Sequence, residues 1–169
     1  MFIQKKTNHG FSLLELLIYV AILSVLVVVV SNAFISLSKA KVQSEVRGEI
    51  HDSIRFAMDK IKLDIKNASS VINPSSGTDS TLVVVVSGVN ITYDVAGGFL
   101  RRRDGTDEPI NVTGDNIVVD SLSFTLINNT NPILNQTTTA VQINMTMHYN
   151  SSNSDSLYSN SFQTTVSLP

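Results

Sequence analysis

The chain has 169 residues, 43% of them apolar or aromatic and 15% charged, with a formal net charge of −2. That length has room for one anchor and one small domain. Beyond residue 67 three arginines stand against eight acids, a balance that argues against nucleic-acid capture, and the lack of cysteine removes disulfides and thiol chemistry.

Lys5, Lys6 and His9 form a basic start with no acid among them, and Gly10 closes it. From Phe11 to Val30 only Ser12, Glu15 and Ser24 are not apolar or aromatic. At about 1.5 Å per residue this run covers roughly 30 Å, the thickness of a hydrocarbon core. Positive flanks stay cytoplasmic, so the amino end is expected inside and the chain beyond Leu37 outside. Lys39 and Lys41, on the far side, weaken that asymmetry slightly. A plain secretory signal fits poorly, because its apolar stretch runs about 7–15 residues and Val27 to Ala33 offers no good small-x-small cleavage site.

Glu15 is the informative residue. A carboxylate at the centre of a membrane helix costs about 2.5–3.5 kcal/mol, and less near an interface. Either it lies shallow and snorkels, or it needs a positive partner inside a bundle. A free α-amino group on a neighbouring helix would be such a partner if the residues before Phe11 were removed.

No Gly or Pro occurs between Phe11 and Arg47, so the helix is expected to run on past the membrane. Val42, Val46, Ile50, Ile54, Ala57, Ile61 and Ile65 recur at three- and four-residue steps and form one apolar stripe. Asp52 with Arg55, Arg55 with Asp59 and Lys60 with Asp64 fall at helical contact spacing on the other face. The stripe is expected to lie on the chain's own sheet, ahead of a coiled-coil seam with another chain. Asn67 to Ser70 ends the helix, and Asn73-Pro74-Ser75-Ser76-Gly77 reads as a turn.

The pattern then changes to period two. Strands are expected at Leu82 to Val86, Ile91 to Val95, Phe99 to Arg103, Ile117 to Ile127, Val141 to Tyr149 and Phe162 to Leu168. The Asn/Ser/Thr-rich stretches Asn128 to Thr139 and Asn150 to Asn160 read as loops. The expected class is α+β: a mostly antiparallel sheet packed on the carboxyl half of one long helix.

Lys5 to Ser36 resembles the amino-terminal signature of type IV pilins and type II secretion pseudopilins. The likeness rests on the short basic leader ending in Gly10, then Phe11-Ser12-Leu13-Leu14-Glu15, then the span-length helix. It implies cleavage between Gly10 and Phe11 by a prepilin peptidase/methyltransferase, N-methylation of Phe11, and pairing of Glu15 with the amino terminus of an adjacent subunit. The implied organisation is a leader over residues 1–10, a transmembrane and assembly helix over 11–37, its amphipathic continuation over 38–68 and an extracytoplasmic β-rich head over 69–169. The implied partners are that peptidase, other pilin or pseudopilin subunits and the inner membrane, with no nucleic acid and no cofactor.

A looser likeness to PilW- or GspJ-type minor pilins rests on Val46 to Ala68, Phe99-Leu100-Arg101-Arg102 followed by Pro109-Ile110, Leu122-Ser123-Phe124 and the closing strands. The lack of Pro in the apolar helix also departs from many major pilins. The expected role is therefore a minor subunit in assembly initiation or at a filament tip. A major pilin and an anchored adhesive module that never polymerises stay open beside it.

Other polar features carry less. Arg101-Arg102-Arg103 reads as blunting a strand edge, with Asp104, Asp107 and Glu108 nearby to offset it; docking an acidic neighbour is the second reading. His9, His51 and His148 have no zinc spacing, and the loops at Asp104 to Asp107 and Asp115-Asn116 miss EF-hand spacing. No nucleophile–base pair or phosphate loop stands out, so no catalytic and no metal-binding residue is expected.

Overall fold

A computed structural model describes residues 12–133, 136–151 and 157–169. Among these residues one α-helix, α1 (Leu13–Lys66), is followed by nine strands. The chain divides into two compact units, residues 1–41 and 42–169, and α1 contributes to both.

In the first unit every described residue is exposed. Leu, Ile and Val surround the helix on all sides, which leaves no polar face for water. This helix is long and apolar enough to cross a membrane, and Ser24 hides its hydroxyl by donating to the Val20 carbonyl at 2.7 Å.

In the second unit α1 turns amphipathic. Val46, Ile50, Ile54, Ala57, Met58, Ile61 and Ile65 are buried, the stripe expected from three- and four-residue spacing with Met58 added. Val42 belongs to that stripe by spacing but is 40% exposed, because the core begins one turn later. One residue after Lys66 the chain enters β1 (Ala68–Asn73), a strand that the sequence does not announce, and the expected turn at Asn73 to Gly77 follows it. The strand's apolar residues are too few to show alternation, and pairing with the next strand supplies what the pattern lacks.

The remaining strands are β2 (Thr78–Asp79), β3 (Leu82–Val86), β4 (Val89–Ala96), β5 (Phe99–Asp104), β6 (Ile110–Asn111), β7 (Ile117–Asn131), β8 (Gln136–Tyr149) and β9 (Ser159–Ser167). The class is α+β, with antiparallel sheets following one long helix. The sheet is divided in two: β1-β3-β4-β5-β6 and β2-β7-β8-β9. Gly98 joins them. It adopts φ +82°, and a Cβ there would meet Val118 Cγ1 at 3.1 Å, so the missing side chain lets its carbonyl take the Val119 N–H at 2.8 Å.

Leu82, Val84, Ile91, Tyr93 and Leu100 of the first sheet, and Leu122, Phe124, Val141, Ile143, Met145 and Met147 of the second, form one core with the helix stripe. Two thirds of the expected loop at Asn128 to Thr139 is strand. Asn128 pairs with Thr139, Asn129 with Thr138 and Thr130 with Thr137. Thr130 and Thr137 hydroxyls meet at 3.1 Å, and Thr139 donates to Asn128 at 3.0 Å. Polar residues on both faces hid this ribbon from any period-two test.

Replacing Ile61 by Ala should cost about 2–5 kcal/mol, whereas Val42→Ala should stay within about 0.5 kcal/mol. Denaturant unfolding of the full chain in detergent, read by tyrosine fluorescence, checks both.

Candidate functional site

The amino-terminal candidates divide at the edge of the described residues. Gly10 and Phe11 lie outside them, and Glu15 lies within, in the first turn of α1. Ser12 precedes the helix and Glu15 follows three residues later, the spacing of a capping box. A carboxylate there also suits the positive end of the helix dipole. Its Oε1 accepts a bond from the Tyr19 hydroxyl at 3.3 Å. Sequence reasoning passed over Tyr19, although four-residue spacing on a helix announces such a contact. The tyrosine holds the acid against its own helix and brings it no positive charge.

A second polar cluster lies in the β-rich unit. Asp64 is 6% exposed. Its Oδ2 accepts from the Tyr93 hydroxyl at 2.6 Å and from Arg102 Nε at 2.7 Å. Tyr93 on β4 and Arg102 on β5 are register partners, so the strand pairing itself sets both donors side by side beneath the helix. Arg102 Nη1 also stands 2.5 Å from Asp104 Oδ1. That oxygen is buried without a hydrogen bond of good geometry, and the adjacent guanidinium charge neutralises it instead.

Burial raises the Tyr93 phenol above its ordinary 10.0, and the hydrogen bond and charge of Asp64 raise it further against an opposing effect of Arg102. For Arg102 burial alone works the other way, yet the bond to Asp64 and the close contact with the Asp104 carboxylate outweigh it and hold the guanidinium charged. The cluster is therefore a closed one, with acid, phenol and cation each satisfied by the others. It binds the helix to the first sheet, and its one oxygen without a hydrogen bond, Asp104 Oδ1, is already neutralised by Arg102.

Two sequence readings change here. Asp64 faces Tyr93 and Arg102, where an exposed pair with Lys60 was expected. An acid three residues after Ile61 and four before Ala68, both buried, was the signal, because those steps put it on the apolar face and a charge so placed needs a partner. The arginine run does not blunt an edge, since β5 lies between β4 and β6. Arg101 and Arg102 do point to opposite faces as expected. Arg101 binds Asp94 through two bonds, at 2.8 and 2.7 Å, across the β4–β5 pair.

Among the described residues no group of three or more His, Cys, Asp or Glu comes together. His148 contacts Asp120 at 2.7 Å, and Asn116, one of the loop residues considered for Ca²⁺, donates to Glu49 at 3.0 Å.

Residues 5–31 match the family model of the prokaryotic N-terminal methylation motif. The match supports the pilin superfamily. It indicates a type IV pilin-like or pseudopilin-type protein, processed by prepilin peptidase and assembling with other pilins. With the single apolar amino-terminal helix it is consistent with inner-membrane anchoring. No curated protein and no solved structure matches the chain.

In this pilin-like chain Tyr93→Phe should cost about 1.5–3 kcal/mol, the range for a hydrogen bond to a charged group. Asp64→Ala should cost about 3 kcal/mol, the low end for a broken buried pair because Asp104 still neutralises Arg102. Above pH 10 the unfolded phenol ionises while the folded one keeps its proton, so part of the stability should fall away as pH rises from there. Tyr93→Phe should lack that part of the decline, which denaturant unfolding at pH 8 to 11 would measure by circular dichroism.

Proposed function

We propose that the protein is a minor pilin or pseudopilin, held in the inner membrane by residues 11–37 with its amino end in the cytoplasm. Prepilin peptidase removes residues 1–10 by cutting between Gly10 and Phe11, and Phe11 is N-methylated. The amphipathic residues 38–68 and the head, residues 69–169, lie outside the membrane. The mature subunit joins a type IV pilus or secretion pseudopilus through its apolar helix, in assembly initiation or near the tip.

The observation that carries this reading is the pairing of the methylation motif with a helix whose apolar side chains are exposed from Leu13 through Leu37. Only lipid or other helices can cover them. Within such a bundle Glu15 needs a cation, and cleavage turns an amide into an ammonium on each subunit, which meets that need. The work of the protein is packing, and the motif is that of a structural subunit rather than an enzyme. The helix without proline favours a minor subunit over the filament body.

Mass spectrometry of the mature protein should find methylated Phe11 as its first residue; an intact Met1 would mean an anchored module that does not polymerise. Glu15→Ala should insert normally yet enter sheared filaments roughly tenfold less, the factor that accompanies about 1.4 kcal/mol of lost pairing. Unchanged incorporation would rule out Glu15 as the axial register.

A further inference from the structure

Glu15 takes part in a contact that no part of the fold requires. The Tyr19 hydroxyl donates to its Oε1 at 3.3 Å, in a stretch where every described residue is exposed. Neither side chain supports a core, so the bond has no packing role within the chain itself.

Side chains on a helix tilt toward its amino end, and residues four apart stack on one face. A glutamate one turn into an apolar helix is therefore drawn toward the headgroups, where water satisfies it. Tyr19 lies one turn deeper, and its hydroxyl draws the carboxylate the other way. At that length the bond is longer than the usual O–H···O⁻ contact, so it orients the acid without saturating it. It engages Oε1 alone, and a carboxylate has acceptor sites for several donors. The acid is thus held at one depth and can still take a second donor.

The line that starts at Glu15 continues into an apolar seam. Steps of four, three and four residues put Glu15, Tyr19, Ile22 and Leu26 on one side of the helix. The last three line, with Leu16, Val20 and Leu23, a groove of about 530 Å³. Of these six side chains only that of Tyr19 is polar, and it sits at the end nearest the acid. An occupant of this seam has to be apolar along its length and cationic where it meets Glu15. Residues 11–30 of a second copy meet both conditions once cleavage exposes the amino group of Phe11.

We infer that Tyr19 is a positioning residue for assembly: it holds the Glu15 carboxylate at the head of the seam for the N-methylated ammonium of a neighbouring copy. Glutamate is rich in rotamers, and one already held in place gives up less freedom when it pairs. The inference rests on the filament reading above and adds a second residue to the Glu15 site.

The test measures how much mature subunit enters sheared filaments for wild type, Tyr19→Phe, Glu15→Gln and the double variant, with mass spectrometry of each amino terminus. Tyr19→Phe keeps the ring and loses only the hydroxyl. It should insert, be cut and be methylated as before, yet enter filaments about fivefold less. The double variant should enter no less than Glu15→Gln alone, because the hydroxyl acts only through the carboxylate. Tyr19→Trp, which keeps an aromatic suited to the membrane interface, should not restore incorporation. Unchanged incorporation of Tyr19→Phe would overturn the inference. So would losses that multiply in the double variant, or full incorporation of Tyr19→Trp, which would make Tyr19 an interfacial anchor. Wild-type protein with an intact Met1, or absent from filaments, would overturn the filament reading and the inference with it.

Discussion

One helix has to satisfy two different surroundings. Through Leu37 its side chains are apolar on every side, which water does not tolerate as an exposed surface of that size. From Val46 they are apolar along a single stripe, which a sheet covers. The change follows from where Lys, Glu and Arg enter the sequence, and everything else is arranged around it. The head exists as a compact unit because seven side chains of the helix's second part close its core, and no disulfide substitutes for them.

Asp64 sits where that arrangement is most exacting. A carboxylate inside an apolar stripe destabilises the fold unless the opposing sheet answers it. Two strands answer together, with Tyr93 and Arg102 at paired positions. Such a network adds little net stability over an apolar packing of the same shape. Its contribution is geometric: a slip of one residue in the β4–β5 pairing would leave the acid facing the wrong side chains. The helix and the first sheet are thereby held to one alignment.

Much of this was legible in the residues. The helix, its stripe and six of the strands followed from periodicity, because apolar side chains at steps of three, four or two leave a clear record. The missed pieces share a cause. β1, β2, β6 and the ribbon are built from Ser, Thr and Asn or are too short for any period to register, so pairing partners distant in sequence decide them. The Asp64 network was missed because its members are 29 and 38 residues apart, and only the fold makes them neighbours. Glu15 could be singled out from its apolar surroundings alone, but not its contact with Tyr19, a local matter of side-chain geometry.

The polar ribbon formed by Asn128 to Asn131 and Gln136 to Thr139 has a consequence for how this protein tolerates change. It holds itself by matched cross-strand positions, and Asn128 to Thr130 and Thr137 to Thr139 lend no side chain to the core. Residues can be deleted from it two at a time, one from each side, without altering the phase of the ladder below. Lineages, or an experimenter placing a tag, can therefore lengthen or trim the molecule at this point while the interior goes on folding as before.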